Sequence, residues 1–204
     1  MQDIKDYWTD KEKRAEIAKA HTKEMEEKYS KEIKYSIENT EICNSIDLLN
    51  TEKEEPENTM VEVQIYVGDI DTVEAILEFA SKDKRIAALN FASYKNAGGM
   101  FIKGSRAQEE CLCHESFLYN VLKENESYYE ANRKNKNRAL YHNRALYSPD
   151  VIFEREGRLC YCDVITCAAP NKRAAQKYCN VSDEENSRVL ESRIDFILDI
   201  AKRH

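Results

Sequence analysis

Glycine and proline are scarce in this sequence, with 5 and 3 residues among 204. Collagen-like chains and chains dominated by flexible linkers are rich in these residues, so both classes are excluded. The sequence also has no stretch near the ~18 consecutive apolar residues that a membrane-spanning helix needs. Its first six residues, MQDIKD, lack the apolar core of a secretory signal. These absences predict a cytoplasmic protein that does not associate with membranes.

Positive charge is not in excess either, because 31 basic residues against 38 acidic residues give a net charge of −7. Non-specific binding to duplex DNA depends on Lys and Arg contacts to phosphate, so such DNA is not expected as a partner. Hydrophobic residues make up 42% of the chain, which is enough for a buried core. The length favours one domain, or one domain with an appendage.

The seven cysteines are an odd number in a chain whose first residues predict no export signal, so reduced thiols are expected rather than disulfides. Cys111 and Cys113, followed by His114, and the pair Cys160 and Cys162 are separated by one residue. Structural zinc sites space their cysteines by two or more residues, so no metal site is predicted. The histidines show no triad or ligand spacing and are assigned no role: His21, His114, His142 and His204.

Apolar periodicity predicts the secondary structure. Spacings of three and four residues predict helices over 11–35, 72–81, 105–124 and 183–204. Alternating or short continuous apolar runs predict strands over 61–67, 86–92, 151–153 and 159–166. The acidic, Pro56-containing stretch 51–59 is expected to be a loop. Strands that alternate with helices indicate a mixed or parallel sheet between helical layers, with 86–92 as a central strand covered on both faces.

Three segments carry finer predictions. Ser105 and Gln108 fit the N-cap and third position of a capping box. The highly charged helix over 11–35 is expected to pack on the domain, with a free interaction helix as the alternative. The basic tract Arg133–Arg138 could grip polymer phosphates together with nearby tyrosines, but charge runs more often form a solvated loop. The tyrosines concerned are Tyr128, Tyr129 and Tyr141.

The segment from Leu89 to Glu110 is the one that indicates chemistry. A buried strand leads into the pair Gly98 and Gly99, and a helix start follows. Adjacent glycines allow backbone N–H groups to approach a phosphate closely, and a helix N-terminus adds further donors. Ligands of open α/β sheets bind where strands end, so this loop is a candidate anion site.

Two carboxylates, Glu109 and Glu110, follow at the start of that helix. Burial and mutual repulsion would raise the pKa of one of them, and a carboxyl that stays protonated near neutral pH can act as a general acid. A solvated helix start is the alternative, because glutamate is common there for reasons of the helix dipole alone.

Several motifs in and around this segment resemble bacterial-type poly(ADP-ribose) glycohydrolases. The matching stretches are Asn90-Phe-Ala-Ser, Lys95-Asn-Ala-Gly-Gly, Ala107-Gln-Glu-Glu-Cys-Leu-Cys and Ser116-Phe-Leu-Tyr, with Arg14-Ala-Glu-Ile-Ala, Tyr147-Ser-Pro-Asp-Val and Val164-Ile-Thr-Cys-Ala-Ala-Pro-Asn outside the core. That family has a GGG loop followed shortly by QEE. The resemblance extends over most of the chain from about Arg14 onward.

The resemblance implies a macrodomain-like three-layer α/β/α fold with a mixed central sheet and an added N-terminal helical segment. Residues 1–50 would form the helical segment packed on the core, and 51–204 the macrodomain-like catalytic core, shortened at its C-terminal end. The implied activity is hydrolysis of ribose O-glycosidic bonds in poly(ADP-ribose) or ADP-ribosylated protein, with ADP-ribose or its polymer as ligand and no cofactor.

The resemblance also implies a role for each site residue. Glu110 would protonate the oxygen that leaves the anomeric carbon and then, as a carboxylate, activate water, whereas Glu109 would hold the ribose hydroxyls. The backbone of Gly98 and Gly99 would face the diphosphate. Asn96 would contact the distal ribose, and Gln108 is counted with the ligand-binding residues.

Two departures from the family pattern leave an alternative function open. Met100 occupies the third glycine position, where its side chain is expected to crowd the loop, and no family-like Gly-Cys-Gly-Val-Phe loop follows the last helix. The strand that would precede that loop is also unmatched, so an open sheet edge is expected. These departures favour a non-catalytic module that binds ADP-ribose or a related nucleotide, whereas the intact Gln108-Glu109-Glu110 favours a hydrolase.

Overall fold

The computed structural model describes residues 10–45, 64–80 and 84–204. The helices are α1 (Lys11–Lys28), α2 (Ser30–Glu38), α3 (Thr72–Phe79), α4 (Gln108–His114), α5 (Leu118–Leu122), α6 (Glu126–Lys134), α7 (Lys172–Cys179) and α8 (Asp183–Arg203). The strands are β1 (Glu41–Asn44), β2 (Ala87–Phe91), β3 (Arg144–Arg155) and β4 (Arg158–Cys167). In this part of the chain no helix is long and apolar enough to cross a bilayer.

The four strands form one mixed sheet in the order β1-β3-β4-β2. β3 pairs antiparallel with both β1 and β4, whereas β2 lies parallel to β4. Leu146 and Val164 belong to a cluster on one face that includes residues of α1–α5, and Tyr147 and Ile165 belong to a cluster on the other face with α8. Because neighbouring residues of a strand point to opposite faces, the sheet separates two helical layers. The expected three-layer α/β/α fold is confirmed.

The described strands differ from the predicted ones at two places. Residues 64–67 do not form a strand, and Ile65 and Val67 are 84% and 97% exposed; residues 51–59 and 61–63 lie outside the described residues. β2 is at the edge of the described sheet rather than at its centre, and Phe91 at its end is exposed. A short apolar run has the same appearance in a central strand and in an edge strand that is covered by helices.

The predicted helix over 11–35 is broken at Tyr29, which has φ −124° and ψ 34°. The ring of Tyr29 turns into the core, and its hydroxyl donates a 2.7 Å hydrogen bond to Glu154 of β3. The predicted domain boundary at residue 50 lies outside the described residues, and β1, which precedes it, belongs to the sheet.

The predicted helix over 105–124 is divided into α4 and α5. Ser116 forms an antiparallel bridge with Phe153, and the N–H of Glu154 donates to the carbonyl of Glu115 at 2.8 Å. This pairing with β3 interrupts the helix. Ala107, not Ser105, is the N-cap residue of α4.

Helices α6 and α7 were not predicted, because both sequences are mostly polar. In contrast, α3 begins as predicted after Asp71, whose side chain accepts from the N–H of Glu74 at 2.9 Å. The long α8 also begins as predicted, capped by Ser182.

Candidate active site

Glu109 is buried at the start of α4, next to the end of β2. Its Oε2 accepts a 2.7 Å hydrogen bond from the N–H of Ser93, and its Oε1 accepts from the side-chain amide of Asn90 at 3.3 Å. Its exposed fraction is 3%. The helix start is therefore not the solvated one that the alternative interpretation assumed.

Burial raises the pKa of Glu109 to about 7, although the hydrogen bonds from Ser93 and Asn90 favour the charged form. The neighbouring carboxylate of Glu110 raises this pKa further. A carboxyl group with this pKa is present in both protonation states near neutral pH. The expectation that one carboxyl of the pair has a raised pKa is confirmed, and it applies to Glu109.

Glu110 is also buried, with 5% of its surface exposed, and it joins the glycine loop to the helix. Its Oε1 accepts a 2.8 Å hydrogen bond from the N–H of Met100, and its Oε2 accepts a 2.8 Å bond from the N–H of Ala107. The glutamate of the capping arrangement is thus Glu110, instead of the predicted Gln108. Two backbone donors fix the orientation of this carboxylate.

Gly99 packs directly against both carboxylates. Its φ is +61°, and a Cβ at this position would lie 2.5 Å from Glu110 Oε1 and 2.9 Å from Glu109 Oε2. Gly98 has φ +59°, and a Cβ there would lie 2.7 Å from the ring of Tyr119. Glycine is therefore required at both positions by backbone conformation and by space.

Some backbone groups of the glycine loop are hydrogen-bonded to each other. The N–H of Gly99 donates to the carbonyl of Asn96 at 3.1 Å, and the N–H of Phe101 donates to the carbonyl of Gly98 at 3.0 Å. Within the described residues, the N–H of Gly98 makes no such bond. The side chain of Asn96 is exposed beside it. The N–H of Gly98 is thus unpaired within the loop, although the residue itself is buried and Gly99 is half-buried.

Met100 does not distort the loop, because its φ is −117° and a side chain is unstrained there. About a third of its surface is exposed, at 37%. Among residues 98–100, Gly98 and Gly99 are the two with the positive φ that favours glycine. The side chain of Met100 therefore imposes no backbone strain, and its expected crowding of the loop stays a prediction.

Gln108 binds the outer edge of β2 with its side-chain amide. The carbonyl of Ile86 accepts a hydrogen bond from Asp163 of β4, and the N–H of Ala92 donates to Cys167 of β4. The backbone groups of even-numbered residues along β2 therefore point toward β4. On the opposite edge, Gln108 Nε2 donates to the carbonyl of Leu89 at 2.8 Å, and its Oε1 accepts from the N–H of Phe91 at 2.9 Å. This side-chain amide makes the two hydrogen bonds that a neighbouring strand would make. The backbone groups of Leu89 and Phe91 on the expected open edge are therefore paired. The predicted contact of Gln108 with a ligand stays a prediction.

Arg14 of α1 supports the far end of the loop. It is 7% exposed, and its Nε donates a 2.7 Å hydrogen bond to the carbonyl of Gly104. Gly104 has φ +77°, and a Cβ there would lie only 2.0 Å from the carbonyl oxygen of Lys11. Sequence analysis gave Arg14 no role, although it opens one of the motifs that carry the family resemblance.

A cavity of about 420 Å³ opens at the ends of β2 and β4. It is lined by Phe91, Ala92, Ser93, Tyr94, Lys95, Tyr141, Ala169 and Asn171. The rings of Tyr94 and Tyr141 stack with centroids 3.9 Å apart. Because Ser93 lines this cavity and its N–H donates to Glu109, the cavity lies next to the carboxylate of Glu109. A larger cavity, about 510 Å³, lies where β2 begins and includes Arg85 and Asp163.

The loop behind Tyr141 has an unusual backbone. Four of its residues have positive φ although none is glycine: Asn137 (41°), Arg138 (52°), Ala139 (64°) and Tyr141 (63°). Such conformations are costly for residues with a Cβ, and they concentrate at functional sites.

The basic tract Arg133–Arg138 does not form a binding site for polymer phosphates, which was one of its two predicted roles. Tyr128 and Tyr129 are buried in the core, so a polymer cannot reach them. Arg133 and Arg138 form ion pairs with Glu126 and Glu185. The solvated-surface interpretation is the one that fits these contacts.

Together, the three-layer fold, the glycine loop and the paired carboxylates define a macrodomain-like glycohydrolase. Residues 6–156 match the family model described as "Microbial-type PARG, catalytic domain", where PARG is poly(ADP-ribose) glycohydrolase, and the chain belongs to this family. A search of curated proteins finds no match.

Solved structures of the same family are similar to this one. Poly(ADP-ribose) glycohydrolase from Thermomonospora curvata matches with a TM-score of 0.83 and 29% identity over 95% of this chain and 76% of that chain. The same enzyme bound to the inhibitor ADP-HPD matches with a TM-score of 0.75 and 28% identity over the same shares. The enzyme from Deinococcus radiodurans in complex with ADP-ribose matches with a TM-score of 0.68 and 28% identity over 83% of this chain and 70% of that chain. The chain is thus an ADP-ribose glycohydrolase, and the non-catalytic alternative is not favoured.

Proposed function

We propose that Glu110 is the general acid and base in hydrolysis of the ribose O-glycosidic bond of poly(ADP-ribose) or ADP-ribosylated protein. Acting as the acid, Glu110 gives a proton to the oxygen that leaves the anomeric carbon, and the carbon–oxygen bond breaks through an oxocarbenium-like state. The resulting carboxylate takes a proton from water, and the water oxygen bonds to the anomeric carbon. The products are ADP-ribose and the freed hydroxyl of the acceptor.

The other site residues bind the substrate in this proposal. Glu109 holds the ribose hydroxyls, and its pKa of about 7 allows it to donate or accept a hydrogen bond. The backbone of Gly98 and Gly99 faces the diphosphate. Asn96 contacts the distal ribose, and Gln108 positions the helix start that carries both carboxylates.

The observation that carries this proposal is the position of Gly99. Its missing side chain leaves room for Glu109 and Glu110 to meet the glycine loop. In this proposal the acid, the ribose contact and the diphosphate contact lie in the stretch 96–110, near the 420 Å³ cavity that Ser93 lines. Clefts of ~300–1,000 Å³ are typical of sites for small ligands.

The test compares Glu110→Gln with Glu109→Gln for release of ADP-ribose from poly(ADP-ribose) and for calorimetric binding of ADP-ribose. Loss of a general acid typically lowers the rate by ~10²–10⁴. We expect Glu110→Gln to lose turnover by this factor and to retain binding within ~fivefold, whereas Glu109→Gln weakens binding as well. Glu130→Gln, on the exposed side of α6, is the matched control. Parent-like turnover by Glu110→Gln would overturn the assignment.

We also propose that the enzyme acts in the cytoplasm, on free or protein-linked ADP-ribose polymers. The support is the state of its thiols, because none of the seven cysteines is in a disulfide. Unpaired, mostly buried cysteines are typical of a reducing compartment. The net charge of −7 supports the further proposal that duplex DNA is not bound non-specifically.

A further inference from the structure

Three side chains with metal-binding atoms meet between β1 and the end of α8. Glu41 and Cys43 are two residues apart on β1 and share one side of the strand, and His204 follows α8. A carboxylate oxygen, the thiol sulfur and an imidazole nitrogen lie within 4.8 Å of one another. Among residues 10–45, 64–80 and 84–204, this is the one group of such side chains found this close together.

The imidazole of His204 has an unsatisfied nitrogen in this group. Its Nε2 is buried without a hydrogen bond and lies 3.9 Å from Glu41 Oε2, beyond hydrogen-bonding distance. A buried polar atom without a partner is unfavourable, and native structures contain few of them. A cation between the nitrogen, the carboxylate and the sulfur would satisfy it.

The surrounding residues hold the imidazole ring in place. It stacks on Tyr147 with the ring centroids 3.8 Å apart and the planes 12° apart. The hydroxyl of Tyr147 donates a 2.6 Å hydrogen bond to Asp163. Arg85 donates to the carbonyl of His204 at 3.1 Å and also pairs with Asp163. Metal ligands in proteins are oriented by outer contacts of this kind.

The charges near the group are compatible with a divalent cation. Arg203 lies 3.4 Å from Glu41 Oε2, and a cation would displace this exposed guanidinium. The charge of Arg85 is already offset by Asp163 at 2.7 Å. The Glu41 carboxylate and a Cys43 thiolate would together balance a charge of +2, and the thiol proton would be released to solvent on binding.

We propose that Glu41, Cys43 and His204 bind one thiophilic divalent cation of the zinc class. Thiolate, imidazole and carboxylate are the ligands that zinc prefers, whereas magnesium and calcium take oxygen ligands. Ligand atoms of a tetrahedral zinc site are ~3.3–3.8 Å apart, as metal–ligand bonds of ~2.0–2.3 Å require. Rotation of the half-exposed side chain of Glu41 can close the remaining gap, and water would complete the coordination.

This site is separate from the proposed catalytic residues. Arg85, which holds His204, precedes β2, whereas Ser93, which holds Glu109, follows it. A bound cation would connect strand β1 to the end of α8 and would stabilise the fold without touching the carboxylates. The inference therefore does not depend on the proposed function.

The experiment uses the untagged chain, freed of metal with a chelator, with Zn²⁺ and Co²⁺ as probes. We expect one Zn²⁺ per chain with a Kd below ~10 µM in competition with a chromophoric chelator. Co²⁺ should give the charge-transfer absorption of a cobalt–thiolate bond. At a hundredfold excess over Kd, Zn²⁺ should raise the Tm by about 5–10 °C.

Cys43→Ser and His204→Ala should each weaken Zn²⁺ binding at least ~tenfold, and Cys43→Ser should abolish the cobalt–thiolate band. Cys160→Ser and His142→Ala, outside the group, serve as matched controls and should bind like the parent. If Cys43→Ser is misfolded by circular dichroism, His204→Ala decides the matter, because it lies at the end of a helix. Absence of saturable binding up to ~100 µM Zn²⁺, or parent-like binding by both variants, overturns the proposal.

Discussion

The Nε of Arg14 and the carbonyl oxygen of Gly104 are joined by a 2.7 Å hydrogen bond, although the two residues are 90 positions apart in the sequence. The bond ties the first helix to the end of the loop that carries Gly98, Gly99 and Met100. The N–H of Met100 in the same loop donates to Glu110. The short stretch from Met100 to Gly104 is therefore held by the proposed acid at one end and by α1 at the other. The orientation of the acid thus depends on a residue outside the sheet.

Replacement of Arg14 should therefore impair the enzyme as well as its stability. A buried hydrogen bond from a charged donor is worth about 1.5–3 kcal/mol, and Arg14→Ala should lose stability of this order. We expect kcat/KM for poly(ADP-ribose) to fall at least ~tenfold, since loop geometry controls the position of Glu110. Arg14→Lys should recover part of both losses. Lys19→Ala, an exposed position on the same helix, is the control, and equal effects of both alanine variants would contradict the prediction.

Gly99→Ala should inactivate the site, because the added Cβ would lie 2.5 Å from Glu110 Oε1. Gly157→Ala is a matched control: Gly157 also has positive φ, at +79°, but has open space around it. Both variants pay the backbone cost of ~1 kcal/mol, and only Gly99→Ala displaces the carboxylates. Turnover and ADP-ribose affinity should fall at least ~10²-fold in Gly99→Ala and stay at the parent level in Gly157→Ala. Similar kinetics for the two variants would show that Gly99 is only a turn residue.

Gln108→Ala should expose the edge of β2. Two hydrogen bonds to Leu89 and Phe91 disappear, which costs roughly 1–3 kcal/mol of stability. The freed backbone groups can then pair with another chain. Sedimentation should show association that rises with protein concentration in Gln108→Ala and not in Gln176→Ala, an exposed control on α7. A strictly monomeric Gln108→Ala would mean that the edge is protected by other means.

The stability of the protein should depend on pH through Glu109. Its pKa is raised from 4.5 to about 7, so the folded state retains a proton that the unfolded chain releases above pH 4.5. Its stabilising contribution is complete below pH 4.5 and is lost as pH rises to about 7. Glu109→Gln removes this dependence, so the variant should gain about 3 kcal/mol relative to the parent between pH 4 and 8. Urea unfolding at a series of pH values measures this difference, and a constant difference would refute it.

Periodicity and short motifs predicted the parts of the fold that depend on local sequence. The strand β4, the long apolar stripe of α8 and the carboxylates at the start of α4 are all found as expected, whereas the alternating pattern over 61–67 gave no strand in residues 64–67. Helix α6 was missed because its buried residues include Asn132 and two tyrosines within a basic stretch, so no apolar stripe marks it. The break at Tyr29 was missed because its cause, a hydrogen bond to Glu154, lies 125 residues away.

The site shows the same division between local and distant information. Glu109, Glu110 and the glycines could be found from spacing and from the family resemblance. The contact of Gly99 with both carboxylates could not, since it depends on how the loop folds back over the helix start. The assignment of the raised pKa to Glu109 depends on burial, which one sequence does not give. In the sequence Gln108 belongs to a predicted ligand-binding motif, whereas in the structure its side-chain amide is hydrogen-bonded to the edge of β2.

The segment from Asn137 to Tyr141, in which every residue except Leu140 has positive φ, places a strained backbone beside the cavity. Each such residue costs ~1–2 kcal/mol, and this cost is recovered only while the surrounding contacts persist. The segment therefore has a low free energy of local opening, and its amides should exchange with deuterated solvent faster than those of the neighbouring β3. Since Tyr141 forms one wall of the cavity, opening of this segment would change the shape of the cleft on this side.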